Sequence, residues 1–298
     1  MRSRAAQELA GPAHLPGRPL VPRVSVVIPT FNEARNLPYV LGRLPTDVHE
    51  VIVVDGDSTD GTTAAARKSL SDVRIVKQSR RGKGNALSCG FAACEGEIAV
   101  MLDGDGSMDP SEIPLFVAAL RAGADFVKGT RYACGAGSSD ITRIRSSGNR
   151  SLKTIVNLWY GADFTDLCYG YNAFWLDCLP ALRLGQWEPG FHQDEPCWGD
   201  GFEIETMLNV RAVKAGLRVL EVPSYESSRL SGMSNLNAWR DGLQVLATIY
   251  RERPLRSGLT TPLTEGPAQE RVIDLTGASG ARVTWRSLGD AESVAKAG

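Results

Sequence analysis

Ile98-Ala99-Val100-Met101-Leu102-Asp103-Gly104-Asp105-Gly106-Ser107 is the stretch on which the fold turns. Its first half is an unbroken apolar run, as a strand covered on both faces should be. Its second half is a loop of acids, glycines and a serine. A buried strand ending in a polar loop is the repeating unit of an α/β sheet, whose ligands sit at the carboxyl ends of the strands. Taken alone, Asp103-Gly104-Asp105 reads more simply as a turn with two capping aspartates.

The same unit recurs on both sides of this stretch. Apolar, β-branched runs at 23–28, 50–54, 73–76 and 125–128 predict further strands. Helical spacing marks 33–44, 58–70, 84–94 and 110–122. This alternation predicts an α/β fold, a mostly parallel sheet with helices on both faces. The successive strands deliver Pro29-Thr30-Phe31-Asn32-Glu33, then Asp55-Gly56-Asp57-Ser58-Thr59-Asp60-Gly61-Thr62, then Arg80-Arg81-Gly82-Lys83-Gly84-Asn85-Ala86, then the Asp103 loop. Polar loops gathered on one edge describe one site, although each alone is a weak signal.

Within that site, two carboxylates one residue apart repel each other and call for a cation. Such hard oxygen ligands suit Mg²⁺ or Mn²⁺, with a diphosphate supplying further oxygens, and Ser107 adds a hydroxyl. Arg81-Gly82-Lys83-Gly84 opens a helix. It reads equally as a phosphate cradle, with Lys83 adding charge, and as a basic surface turn. The P-loop pattern does not fit it. Asp55 is placed either to accept from a nucleobase N–H or to cap the next helix, a role open also to Asp57, Ser58 and Asp60.

The 298 residues carry a formal net charge of −1, which argues against nucleic acid as the main partner. Six cysteines without a C-x-x-C pair read as reduced thiols. With no signal peptide and no apolar run of roughly 20 residues, the expectation is a cytoplasmic protein. Residues 1–22 read as a flexible arm. Residues 254–298 read as a loosely ordered tail with one short strand at 281–285.

Four stretches together, Val24 to Glu33, Val54 to Thr62, Arg81 to Ala86, and Asp103-Gly104-Asp105, resemble the family 2 glycosyltransferases. The last is that family's D-x-D motif. The resemblance implies the GT-A fold over 23–253. It implies that Pro29, Phe31, Glu33 and Asp55 hold the base and ribose of a nucleotide-sugar donor. Lys83, Asp103, Gly104, Asp105, Arg131 and Arg229 would lie on its diphosphate, with the metal on Asp103, Asp105 and Ser107.

Within the family the chain looks most like the polyprenol-phosphate branch, typified by dolichol-phosphate mannose synthase. The carriers are Lys128-Gly129-Thr130-Arg131, Phe202-Glu203-Ile204-Glu205, and Ser228-Arg229-Leu230-Ser231-Gly232-Met233-Ser234-Asn235. The last is similar to that branch's R-x-x-G-x-S-K loop, with Asn235 in place of the lysine. It is expected to close over the phosphates through Arg229 and Ser234. The implied reaction inverts the sugar's anomeric centre. A lipid-phosphate acceptor would need no base. A hydroxyl acceptor would, and Asp166, Glu203, Glu205 and Asp194 are the candidates, with Asp166 equally readable as a turn cap.

His192 reads as structural, and Trp187 and Trp198 as walls that could face a sugar. Residues 236–253 predict a helix with Trp239, Leu243, Leu246, Ala247 and Tyr250 on one face. Packing on the sheet is favoured for that face over peripheral contact with the inner face of a membrane. The remaining readings are a soluble glycosyltransferase acting on a small-molecule or saccharide hydroxyl, a sugar nucleotidyltransferase, and a non-catalytic binder.

Overall fold

The computed structural model describes residues 17–184, 197–232, 238–253, 271–274 and 282–285. Trp187, His192, Asp194, Ser234 and Asn235 lie outside them, as does the side chain of Trp239. The chain runs β1 (Val24–Thr30), α1 (Leu37–Leu41), β2 (Glu50–Asp55), α2 (Thr62–Ser69), β3 (Arg74–Lys77), α3 (Lys83–Ala93) and β4 (Ile98–Met101). A 3₁₀ turn (Pro110–Glu112), α4 (Ile113–Arg121), β5 (Phe126–Thr130), β6 (Gly137–Ser138), α5 (Arg143–Tyr160), β7 (Asn172–Trp175) and α6 (Leu179–Leu182) follow. Then come α7 (Ile204–Lys214), β8 (Val219–Pro223), β9 (Tyr225–Glu226), α8 (Ala238–Glu252), β10 (Arg271–Asp274) and β11 (Arg282–Trp285).

Seven strands form one sheet in the order β3-β2-β1-β4-β7-β5-β8. The pairs β1–β2, β1–β4, β2–β3 and β5–β8 are parallel, whereas β7 runs antiparallel to β4 and β5. The predicted strands and their parallel order are therefore present, with β7 inserted. Alternate residues of one strand feed different cores. Val26 and Ile28 pack with α1 and α4 residues such as Val40 and Phe116, while Val27 packs with Leu87 of α3 and Leu208 of α7. Burial on both faces is why these strands read as continuous apolar runs.

The antiparallel course of β7 positions the site. In a parallel strand only the residues that follow it reach the carboxyl edge. In β7 it is the residues that precede it, so the 166–171 loop arrives beside Arg131, which follows β5. The run Asn172-Ala173-Phe174-Trp175 is four residues long and fully buried, too short to register by periodicity.

Several expected elements have different bounds. The helix predicted over 33–44 is confined to α1. Its first turn is tied instead to the next loop, with Glu33 N–H donating to Thr62 Oγ1 and Ala34 N–H to Asp60 Oδ2. The helix predicted from 58 begins at Thr62, because Asp60 accepts from Thr62 N–H and forms the preceding turn. The arm is fixed at its end. Arg18 pairs with Asp125 at 2.7 Å and Asp177 at 2.8 Å and lies over the Trp175 ring. In the tail, β11 is the predicted strand, and it pairs with the unanticipated β10.

Helix α8 overturns one reading. Its inward face, against α5 and α7, is Asp241, Val245, Thr248 and Ile249. Leu243, Leu246, Ala247 and Tyr250, expected to pack, point outward, and Leu243 is 67% exposed.

Candidate active site

A cleft of about 1390 Å³ opens along the carboxyl edge of the sheet. It brings together Pro29, Phe31, Glu33, Lys83, Asp103, Gly104, Asp105, Ser107, Arg131 and Arg229, each singled out by sequence. Gly104 shows how closely the strand ends converge, since a Cβ there would lie 3.0 Å from Thr30 Cγ2 of β1.

Each acid of the D-x-D pair already faces a cation. Lys83 Nζ is 2.7 Å from Asp103 Oδ1 and 2.6 Å from Glu205 Oε1. Arg229 Nη1 is 3.2 Å from Asp105 Oδ2, and its Nη2 bonds Glu33 Oε1. Asp105 Oδ1 accepts from Ser107 N–H at 3.0 Å, which curls the loop. Burial pushes the Asp103 carboxyl above its ordinary range; Lys83 opposes this, and the negative charges of Asp105 and Glu205 add to it. Burial also raises the Glu33 carboxyl, against its bonds to Asn36 and Arg229. Lys83 is held protonated: burial acts against its charge, but Asp103 and Glu205 outweigh burial.

Arg229 belongs to a strap that crosses the D-x-D loop. Ser227 N–H donates to Ser107 O and Leu230 N–H to Asp105 O. Arg229 Nε and Asn36 Nδ2 both donate to Ser231 O. Gly106, at φ +80, makes room, since a Cβ there would lie 2.5 Å from Leu230 Cδ1.

The structure corrects four site readings. The Arg81-Gly82-Lys83-Gly84 loop does not present its backbone to a phosphate. Gly84 and Asn85 N–H both donate to Asp200 O, and Arg80 grips the Asp200 carboxylate. A Cβ on Gly84 would meet Gly199 O at 1.8 Å, so the glycines serve chain packing. Arg81, Gly82 and Lys83 line the cleft, and the Lys83 side chain reaches the D-x-D pair. Asp55 does not line the cleft, whereas its neighbours Gly56 and Asp57 do. Its Oδ2 accepts from Ser58 N–H, its Oδ1 is buried without a partner, and Gly61 is the N-cap of α2, after the turn formed by Asp60.

Asp166, expected as a catalytic base, is fully buried and gives both oxygens to Arg131, which also pairs with Glu226. Burial alone would raise this carboxyl, but the bonds and charge of Arg131 hold it below the usual carboxylate range. Asp166 therefore positions Arg131 and is not offered to an acceptor. Trp198 does not face the cleft; Arg251 of α8 covers its ring at 3.8 Å.

Of the other candidate bases, Asp194 lies outside the described residues, and Glu203 Oε2 is buried without a partner. Glu203 Oε1 accepts from Gly199 and Gly201 N–H, and Glu205 holds Lys83.

Sequence reading missed Gln78, Arg145 and the second half of the cleft. Gln78 follows β3 and lies against Gly56, so the strand-end rule could have found it. Arg145 sits on α5, which was not anticipated. Its signals were the Thr142 N-cap, which accepts from Arg145 N–H, and Gly161 in the left-handed conformation at its end. Ile144, Arg145 and Leu152 of α5 face Leu243, Val245 and Leu246 of α8 across this half of the cleft.

The donors present fit a divalent cation that takes part of its shell from a bound ligand. Asp103 and Asp105 are hard carboxylates at one edge, with Ser107 beside them. Among the described residues no group of three His, Cys, Asp or Glu could hold a metal unaided.

Comparison with known proteins agrees with this geometry. The model of Glycosyl transferase family 2 matches residues 25–179, just over half the chain. Glycosyltransferase AglJ of Haloferax volcanii is 32% identical over 76% of this chain and 71% of its own. Polyprenol monophosphomannose synthase of Mycolicibacterium smegmatis is 31% identical over 72% of this chain and 81% of its own. Undecaprenyl-phosphate mannosyltransferase of Micrococcus luteus is 32% identical over 72% and 88%. The fold is shared with glucosyl-3-phosphoglycerate synthase of Mycobacterium tuberculosis, solved with Mg²⁺ and UDP, at a TM-score of 0.59 and 23% identity, covering 92% of this chain and 93% of that one. By the family match, by relatives about a third identical over most of its length, and by its sheet, the chain belongs to glycosyl transferase family 2 and is a glycosyltransferase of the GT-A fold.

Proposed function

We propose that the chain transfers a sugar from a nucleoside-diphosphate donor, a GDP-mannose or UDP-hexose, to a polyprenyl phosphate, inverting the anomeric centre. The observation that carries the acceptor class is the commitment of two of the candidate bases. Asp166 gives both oxygens to Arg131, and Glu205 is paired with Lys83, so neither stands free to take a proton. A phosphate oxygen is already anionic and attacks without a base, whereas a hydroxyl needs one. The polyprenyl-phosphate enzymes among the relatives support the same reading.

In this reading Pro29, Phe31 and Glu33 border the nucleoside, with Asp55 behind Gly56. Asp103, Asp105 and Ser107 hold Mg²⁺ or Mn²⁺, which as a Lewis acid offsets negative charge on the departing diphosphate. Arg229 and Lys83 stand where that charge grows and stabilise it. Arg131, fixed by Asp166 and Glu226, and Arg145, paired with Asp140 at 2.8 Å, supply positive charge on the acceptor side. Asp105 and Arg229 act on the reacting groups. Ser234, which follows in sequence, lies outside the described residues.

The apolar half of the cleft, between α5 and α8, takes the lipid chain. It opens beside an outward face bearing Leu243, Leu246 and Tyr250 of α8 and Ile144, Leu158 and Trp159 of α5. Arg143, Arg145, Arg150 and Lys153 make α5 basic, with no acid in it. An apolar stripe flanked by cations suits peripheral contact with an anionic membrane. Among the described residues no helix is long and apolar enough to cross one.

Transfer from radiolabelled GDP-mannose and UDP-glucose, with Mn²⁺, to undecaprenyl phosphate or a panel of sugar hydroxyls tests the acceptor. Lipid-linked product supports the proposal, and product only on hydroxyls refutes it. Co-sedimentation with phosphatidylglycerol vesicles tests the membrane contact, which fails if the protein stays in the supernatant.

A further inference from the structure

Lys83 is tied at its root and free only at its tip. Its backbone opens α3 between Gly82 and Gly84, both packed under the carbonyls of Gly199 and Asp200. Its ammonium lies between Asp103 and Glu205, at 2.7 and 2.6 Å. Glu205, in the first turn of α7, is itself wedged, since a Cβ on Gly170 would meet Glu205 Oε1 at 2.2 Å. One partner of Lys83 therefore lies close against the Gly170 backbone and outside the D-x-D pair. The other is an acid that the proposed function assigns to the metal.

We propose that Glu205 is a positioning residue that holds Lys83 as a stand-in cation on Asp103, and that the donor diphosphate draws Lys83 off Asp103 as the metal takes its place. The inference rests on the donor-site reading above and adds an order of assembly to it. In the free protein a divalent cation must compete with an ammonium for Asp103 and with the Arg229 guanidinium for Asp105. Once a diphosphate is bound, Lys83 has new acceptors within reach of the same root, and Glu205 keeps its tip at the cleft. Metal and nucleotide then enter together, and the D-x-D pair never stands as two unpaired, half-buried acids.

The test is Mn²⁺ binding to the full chain, followed by the electron paramagnetic resonance of free Mn²⁺, with and without UDP or GDP. The wild type should bind Mn²⁺ weakly alone and much more tightly with the preferred nucleotide. Lys83→Gln should tighten Mn²⁺ binding to the nucleotide-free protein by about tenfold, the scale of one screened ion pair, and shrink the nucleotide effect. Lys83→Arg, which keeps the charge, should retain weak nucleotide-free binding. Unchanged or weaker nucleotide-free binding by Lys83→Gln overturns the exchange, even with the nucleotide site intact. Wild-type protein that binds Mn²⁺ equally well with and without nucleotide overturns it without recourse to a variant. Failure of the wild type to bind either nucleotide or Mn²⁺ overturns the donor-site reading, and the exchange with it.

Discussion

Arg229 joins Asp105 to Glu33: one Nη lies 3.2 Å from the Asp105 carboxylate and the other bonds the Glu33 carboxylate. One side chain of the strap thus spans the loops that follow β4 and β1. With donor bound, the same guanidinium lies where the leaving diphosphate gains charge. Arg229→Ala should lower kcat by about 10²- to 10³-fold, as loss of one preorganised donor does. The melting temperature should fall as well, because the buried Glu33 carboxylate loses its cation, so kcat is read per folded molecule. Arg229→Lys keeps charge but not the two-way bridge and should recover only part of the rate. Steady-state kinetics alongside thermal melts separate these outcomes, and a variant with wild-type kcat would remove Arg229 from the chemistry.

Gly106 is the seat of the strap. Gly106→Ala adds a methyl 2.5 Å from Leu230 Cδ1, at φ +80, where a side chain is strained. It should cost about 1 kcal/mol of stability and lift residues 227–232 from the D-x-D loop. The measurements are donor KM, which should rise, and limited proteolysis, which should newly cut the strap. Unaltered KM and cleavage would mean that the strap does not bear on donor binding.

Asp166 distinguishes positioning from base catalysis. Asp166→Asn leaves the buried Arg131 with Glu226 as its remaining carboxylate partner. Breaking a buried pair from one side costs about 3 kcal/mol or more, so a clear drop in melting temperature is expected. Turnover per folded molecule should fall through misplacement of Arg131, and the pH profile should keep its shape. An unchanged melting temperature with abolished turnover and a lost acidic limb would restore Asp166 as a base.

Asp125, at the opposite edge of the sheet, gives a pH signature without touching the site. Burial raises its carboxyl, but bonds from Arg218 and Arg18 outweigh that and hold it below the usual range. A depressed folded value means stabilisation that is complete above the unfolded value of about 3.9 and lost as pH falls through the folded one. Asp125→Asn should therefore lower the melting temperature at pH 7, and the gap from wild type should close below about pH 4. Glycosyl transfer per folded molecule should be unchanged.

How much was legible follows the physics of each element. Apolar strands and polar strand ends carry local signals, so β1 to β5 and the loops that follow β1 to β4 could be read directly, whereas Arg131 and Arg229 came with the family resemblance. Asp166 misled because an acid in a loop looks the same whether it meets a ligand or a buried arginine, and Asp55 because it looks the same when it accepts from the Ser58 backbone. The glycines around Lys83 misled for a related reason. Room for close approach is visible in a sequence, but what approaches is not, and here it is the Gly199 and Asp200 carbonyls.

By itself, then, the sequence determined the sheet, the edge at which the site lies, the D-x-D pair and the family resemblance, all properties of local pattern and short motif. Only the tertiary structure decided partners. It showed that Lys83 neutralises Asp103, that Arg229 bridges Asp105 and Glu33, and that Asp166 is locked on Arg131. It also turned the large apolar residues of α8 outward. These pairings join residues from 20 to 196 positions apart. They depend on the antiparallel insertion of β7 and on the packing of α5, α7 and α8, which no periodicity along the chain encodes.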